Sequence, residues 1–355
     1  MKPIRVVLAG AGNCASSFSQ FVAQAQADPA ATPPGLMCRS VGGYLLSDVR
    51  VVAAFDVDAT KVGRSLSDAF ATPVVSATAF VPLGADGDSP VLPAPVLDGL
   101  AGPLGGVVQP ADAAQDARPE DVTKALIELE ADVLVIMLPT GASRAIRMFA
   151  DAALAAGIAV VNATPEELAR DEALCRRFAD AGVVILGDDL RSHLGATTLH
   201  TALLELLLSR GLVPSSTYQL NVGGNTDFLN LADPTRSASK FTSKANALRA
   251  AGMDDASIAA GPTGFIRHLA DTKVCFLNIT ATSVLGSEVK IDVKLTVEDS
   301  PNAAGVIANA VRAARLATDR ALSGAVNDAC ALLFKSPPRG LPEGEARAAF
   351  LGFVS

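Results

Sequence analysis

The chain has 355 residues, half of them apolar and 19% charged, enough for a sizeable core and incompatible with wholesale disorder. A net charge of −8 and a sequence pI near 5.0 speak against nucleic acid and anionic membrane as partners. No apolar run reaches the ~18 residues of a membrane helix, and the N-terminus shows no signal-peptide pattern. The five cysteines (Cys14, Cys38, Cys175, Cys275, Cys330) lie scattered without CxxC spacing, so the expectation is a cytoplasmic protein with reduced thiols and no zinc site.

Ile4 to Leu8 is a continuous apolar run, the pattern of a central parallel strand buried on both faces. It leads into Gly10-Ala11-Gly12-Asn13-Cys14-Ala15, with a helix expected from about Ser16. In such a turn the first glycine allows the tight bend and the second lets backbone approach a pyrophosphate at the helix N-terminus; small Ala15 or Ser16 stands where a third glycine is usual. The second strand, Val51 to Phe55, ends in Asp56. A carboxylate there accepts ribose hydroxyls and repels a 2′-phosphate, so NAD is favoured over NADP. Ala23 to Asp48 reads as a long insertion before that strand, and residues 71–118, rich in Pro, Gly, Ala and Asp, as an extended surface excursion.

Helix and strand then alternate: helix Pro119 to Leu129, strand Ala131 to Leu138, helix Ser143 to Ala156, strand Ile158 to Asn162, helix Pro165 to Ala181, strand Val183 to Leu186. That alternation predicts βαβ units on a parallel sheet, an α/β doubly wound fold. Its strand ends carry Gly10, Asp56, Pro139-Thr140-Gly141, Asn162-Ala163 and Asp188-Asp189, and ligands of open α/β sheets bind at that edge. The paired aspartates can equally be turn residues. Gly187 to Thr198 leads into an apolar helix from about Thr197 to Leu208, where a glycine and hydroxyls either cap the helix or hold a phosphate.

A strand from Thr217 to Val222 breaks into Gly223-Gly224-Asn225, with Asp227 close behind. Lys240 and Lys244 follow at i, i+4 spacing, either a solvated basic face or two ammonium groups converging on an anion. Lys273 to Ile279 and Glu288 to Val297 read as long strands pairing in a separate antiparallel sheet. Ser300-Pro301-Asn302 then starts a helix (Ala303 to Ala317), and Phe334-Lys335-Ser336-Pro337-Pro338 ends a late one. The composition shift across these strands predicts a second domain at roughly 199–299.

The chain resembles the myo-inositol-phosphate synthases of actinobacterial type over nearly its whole length. The landmarks are AGAGNCASS at the start, PGLM at 34–37, VAAFDVD at 52–58 with KVG at 61–63, GDDLRSHLGAT at 187–197, QLNVGGNTDFLN at 219–230, EDSPNAAGVI at 298–307 and LFKSPP at 333–338. The resemblance implies a Rossmann-like doubly wound parallel sheet completed by the C-terminal segment, with an inserted α+β domain that carries catalytic lysines and assembles a homotetramer. The reaction implied is the NAD-dependent conversion of glucose 6-phosphate to inositol 3-phosphate (1-phosphate in the other convention), for inositol and phospholipid precursor biosynthesis. Carried over by motif, Lys335 and Asp189 serve proton transfer at the C5 hydroxyl, Lys240 and Lys273 stabilise enolate and aldol alkoxide, and Lys244 anchors phosphate. Ser192, Gly195, Thr197, Gly223, Gly224, Asn225 and Asp227 are the implied substrate contacts. Gly10, Gly12, Asn13, Cys14, Ala15, Asp56, Pro139, Thr140, Gly141, Asn162, Ala163, Asp188 and Ser300 are the implied cofactor contacts. A conventional dehydrogenase of another sugar phosphate, or a non-catalytic NAD-binding paralogue, is the alternative.

Overall fold

The structure is a computed structural model that describes residues 2–236 and 258–355. Its strands, in chain order, are β1 (Ile4–Ala9), β2 (Val49–Asp56), β3 (Val91–Pro93), β4 (Val133–Ile136), β5 (Ala159–Asn162), β6 (Val184–Leu186), β7 (Val213–Gly223), β8 (Ile258–Phe265), β9 (Thr272–Thr282), β10 (Glu288–Glu298) and β11 (Gly324–Ala325). Seven of them form one sheet in the order β11-β6-β5-β4-β1-β2-β3, and every pairing within it is parallel. The run β3-β2-β1-β4-β5-β6 is the doubly wound arrangement, whose order reverses between β1 and β4.

The central strands are apolar on both faces because helices cover both. Val6 and Leu8 join one core with Phe18 of the helix Asn13–Ala27 and with Ile307 and Val311 of the helix Asp299–Asp319. Val7 and Ala9 point the other way, into a core with Ile146 and Phe149 of the helix Ser143–Ala156 and Leu126 of the helix Pro119–Glu128. Period-two alternation thus becomes a continuous apolar run when both sides are packed. The chain returns from the second sheet through the helix Asp299–Asp319, and β11 then extends the first sheet beside β6.

The second sheet has the order β10-β9-β7-β8. Its β9–β10 and β7–β9 pairs are antiparallel, as expected, but β8 runs parallel to β7, so the sheet is mixed. The strands β7, β9 and β10 were readable in the sequence; β8, rich in glycine and alanine, shows little alternation. The helix Ala196–Ser209 covers one face through Leu204 and Leu207. On the opposite face Tyr218, Leu220 and Phe276 are 40%, 40% and 44% exposed, with Leu220 and Phe276 partners across the β7–β9 pair.

Four element expectations change. The first helix starts at Asn13, immediately after Gly12, not near Ser16. The long helix starts at Asp299, because Pro301 suits a first turn instead of preceding it. The helix expected from Pro165 is confined to Glu172–Asp180, capped by the Asp171 carboxylate; residues 168–170 instead turn their N–H groups toward Asp188. Residues 71–118 are more than a surface excursion, since β3 pairs with β2 there and Val91, Ala94, Leu104 and Ala114 are buried. A three-residue strand is too short to show a period.

Candidate active site

At the end of β1, Gly10 has φ +102°, and a Cβ there would stand 2.8 Å from the carbonyl oxygen of Met137. The turn is bound to β2: Gly10 N–H donates to Phe55 O at 2.8 Å, and Ala11 N–H to Asp56 Oδ2 at 3.0 Å. Gly12 is the N-cap of the first helix and makes no side-chain cap hydrogen bond. A Cβ on Gly12 would meet nothing within 4 Å, so the backbone lies open there. Asn13 Oδ1 accepts from Ser76 N–H at 2.7 Å and Ala77 N–H at 3.0 Å, strapping that loop across the helix start. Ala15 packs in the core. The buried Lys61, absent from the sequence candidates, places Nζ 3.4 Å from Asp56 Oδ2 and 3.9 Å from Asp58 Oδ2.

The segment after β7 folds back onto this edge. Gly224 is required by close approach, because a Cβ would lie 2.5 Å from Ile266 O and 2.6 Å from Ala270 N. Asn225 caps the short helix Thr226–Asn230, its Oδ1 accepting from Asp227 and Phe228 N–H. Thr140, in the Pro139–Gly141 loop, donates from Oγ1 to Asp227 Oδ1 at 3.4 Å. Its carbonyl accepts from Asn230 Nδ2 at 2.9 Å and from Arg236 Nη1 at 3.3 Å. Gly223 stands opposite Lys273 across the β7–β9 pair.

Two lysine–aspartate pairs follow, one from each sheet's segments. Lys273 Nζ is 3.0 Å from Asp299 Oδ1, in the first turn of the long helix, and 5.7 Å from the centroid of the Phe228 ring. Lys335 Nζ is 2.8 Å from Asp189 Oδ1, with side chains only 17% and 6% exposed. Backbone pairing explains the second contact: Lys335 N–H donates to Asp189 O, Ser336 N–H to Asp188 O, and Arg191 N–H to Leu333 O. The strand-end segment and the KSPP segment therefore run side by side, residue facing residue.

Ser300 joins these parts. Its Oγ and N–H donate to Asp271 at 2.8 and 3.0 Å, and it lies 4.0 Å from Cys14 Sγ. Burial pushes the Cys14 thiol up to about 12, with the charges of Asp299, Asp271 and Asp227 adding to the rise. Carboxylates from segments flanking the second sheet thus act on the start of the first helix.

Other sequence candidates have internal duties. Asn162 is fully buried, donating to Glu166 O and Asp188 Oδ1 at 2.7 Å each and accepting from Thr164. Asp188 accepts from Asn162, Leu168, Ala169 and Arg170; burial pushes its carboxyl up to about 7 although those donors pull it down. Ala163 O accepts from Leu190 N–H. Ser192 lies in a loop tied to the long helix, where Asn302 exchanges hydrogen bonds with His193 and Leu194. Gly195 is the uncapped N-cap of the helix Ala196–Ser209, and Thr197 sits half-buried in its first turn. Lys240 and Lys244 lie outside the described residues. Asp271, Asp299, Asn230 and Arg236 escaped sequence reasoning; the nearness of Asp271 to Lys273, two residues on, was the one usable signal. Among the described residues no group of three or more His, Cys, Asp and Glu could hold a metal ion, and no helix is long and apolar enough to cross a membrane.

The structure is a Rossmann-like α/β protein that carries two lysine–aspartate pairs, Lys273–Asp299 and Lys335–Asp189. Comparison with known proteins makes this particular. The family description "Myo-inositol-1-phosphate synthase" matches residues 195–300. The inositol-3-phosphate synthase of Corynebacterium glutamicum is 41% identical, over 99% of this chain and 98% of its own. That of Mycobacterium tuberculosis is 42% identical, over 99% and 95%. The crystal structure of Ari2, 36% identical, superposes with a TM-score of 0.81 over 99% of this chain and 98% of its own. The chain belongs to the inositol-3-phosphate synthase family.

Proposed function

We propose that this protein converts glucose 6-phosphate to 1D-myo-inositol 3-phosphate with tightly held NAD. What carries the reading is the pairing of Lys335 with Asp189 past the end of β6 in a parallel sheet whose β1 ends in the glycine-rich turn, in a chain of this family. The turn fits a dinucleotide: the open backbone at Gly12 and the uncapped helix start match a diphosphate, and the Asp56 carboxylate at the end of β2 stands where a ribose is held. Gly10, Gly12, Asn13, Cys14, Ala15, Asp56, Thr140 and Ser300 would hold NAD, with the Pro139–Gly141 loop, Asn162, Ala163 and Asp188 shaping its far end. When bound, it supplies reversible oxidation and reduction at C5 of the sugar.

The chain's own residues do the rest. The Lys335–Asp189 pair relays the proton of the C5 hydroxyl as that carbon is oxidised, the ammonium passing a proton to the Asp189 carboxylate as it takes the hydroxyl's, and returns it at the end. The C6 proton passes to an oxygen of the substrate's own phosphate dianion and leaves an enolate; attack of C6 on the C1 aldehyde then leaves an alkoxide, which takes that proton back. Lys273 and Lys240 stabilise both in a site of low effective dielectric. Lys244, with Ser192, Gly195, Thr197 and the Gly223-Gly224-Asn225 backbone, holds phosphate and sugar hydroxyls, and Asp227 accepts from the sugar. The ketone must never meet bulk water, so a cleft closed by elements of both sheets suits the reaction.

The same reading divides the chain into a cofactor domain (1–198 and 300–355) and a catalytic and assembly domain (199–299). The exposed Tyr218, Leu220 and Phe276 face supports assembly into a homotetramer. The free cysteines support a cytoplasmic setting. The test is incubation with glucose 6-phosphate and catalytic NAD, followed by phosphate-ester analysis. A periodate-sensitive cyclitol phosphate without accumulating NADH is expected, whereas stoichiometric NADH without cyclitol marks an ordinary dehydrogenase.

A further inference from the structure

The chemistry above gives Asp271 no task, yet its carboxylate is 3% exposed and fully engaged. Oδ1 accepts from Asn225 Nδ2 at 3.1 Å and Ser300 Oγ at 2.8 Å, and Oδ2 accepts from Ser300 N–H at 3.0 Å. Its carbonyl accepts from Asp299 N–H at 2.9 Å. The long helix has Glu298 at its N-cap, without a side-chain cap hydrogen bond. Asp271, from the start of β9, takes that role across the chain and places a negative charge at the positive end of the helix. At the same time it holds Asn225, which caps the helix Thr226–Asn230. One carboxylate therefore ties together two helix starts, one bearing Asp299 and the other Asp227.

Lys273 follows two residues later, as the second residue of β9, and reaches both of those helices, at Asp299 and at the Phe228 ring. We infer that Asp271 is a positioning residue: it sets the Lys273–Asp299 pair against the Asn225–Asp227 segment so that the ammonium stands where enolate and alkoxide form. The inference rests on the proposed function and assigns Asp271 to the carbon–carbon bond-forming stages, not to the oxidation governed by Lys335 and Asp189. Burial pushes the Asp271 carboxyl upward, opposed by hydrogen bonds from Asn225 and Ser300; replacing an acceptor by a donor there must break at least one of these contacts.

The test is Asp271→Asn in the full-length enzyme. A misplacement of about 1 Å costs on the order of 10²-fold in rate, so kcat should fall ~30- to 100-fold, with KM for glucose 6-phosphate and the Kd of NAD each within ~3-fold. In a single turnover the 340 nm absorbance of reduced coenzyme should rise to one per site and persist, because oxidation proceeds and the next stage stalls. Should Asp271→Asn fail to fold, Asn225→Ser, which can keep a helix cap but removes the amide that donates to Asp271, is read for the same persistent signal. Lost turnover without any 340 nm signal, or parallel losses of NAD affinity and thermal stability, overturns the inference. A wild-type enzyme that forms no cyclitol phosphate refutes the proposed function instead, so the two failures are distinguishable.

Discussion

Replacing Lys335 with Met keeps the hydrocarbon stem and removes the ammonium 2.8 Å from Asp189 Oδ1. At that distance and an effective dielectric of about 20, the gross attraction is ~6 kcal/mol, most of it cancelled by desolvation of the two ions. The pair keeps some solvent access, so the expected loss of folding stability is ~1–3 kcal/mol. The effect on catalysis is larger. A positioned proton donor and acceptor contributes ~10²–10⁴-fold, equal to about 3–5 kcal/mol of barrier, so kcat should fall by that factor. The Kd of NAD, measured by fluorescence quenching, should change less than ~3-fold, because the ammonium contacts Asp189 and not the glycine-rich turn. Single-turnover absorbance at 340 nm adds a sign: Lys335→Met should form no reduced coenzyme, whereas Lys273→Met should form it and stall. A Lys335→Met enzyme with more than a tenth of wild-type kcat, or one that stalls after oxidation, would refute the assignment.

Lys61→Met leaves Asp56 and Asp58 without the buried ammonium between them; NAD should bind ~10-fold more weakly by calorimetry, and unchanged affinity would remove Lys61 from the ribose end of the site. Arg312→Met should lower stability in urea by ~2–4 kcal/mol, because a fully buried guanidinium donates to the carbonyls of Cys38, Arg39, Tyr44 and Ala308 and to Asn309 Oδ1; a loss under ~0.5 kcal/mol would show that the 38–44 loop holds without it. Asp188 gives a pH dependence. Its carboxyl sits at about 7 in the folded protein against ~3.9 unfolded, so the folded state binds the proton more tightly. Its contribution is fully present below about pH 4 and falls toward pH 7, by at most ~1.4 kcal/mol per unit. Wild type minus Asp188→Asn, from denaturation at pH 5 and pH 7, should show that decline, and a rise with pH would contradict it.

Much of the fold was legible because its signals are local. The glycine turn after an apolar strand, the acidic end of β2 and the alternation of helix and strand each follow from the backbone constraints of a parallel sheet. What the sequence concealed depends on juxtaposition. β8 pairs parallel to β7 without the alternation that betrays β10. Asn162 and Asp188 stand at strand ends, where ligand contacts are expected, but both are consumed by the turn at 164–170. Arg236 donates to Thr140 O and Asp98 O from 96 and 138 residues away, and no periodicity encodes such a contact.

The two lysine pairs differ in how they are built, and that difference fits a division of labour. Lys335 and Asp189 are fixed by backbone pairing of adjacent segments on the first sheet, so their separation varies little with motion of the second. Lys273 comes from the second sheet and Asp299 from the helix that packs on the first. Their contact therefore reports how the two sheets stand relative to each other, and Asp271 is the carboxylate that holds that relation. An oxidation that must reverse on the same sugar is well served by a rigid pair. Ring closure, in which the substrate changes shape, is better served by a cation whose position depends on both halves of the cleft. On this reasoning, substitutions at the Asn225–Asp271–Ser300 junction should slow ring closure selectively, while those along 188–191 and 333–336 should slow oxidation and reduction alike.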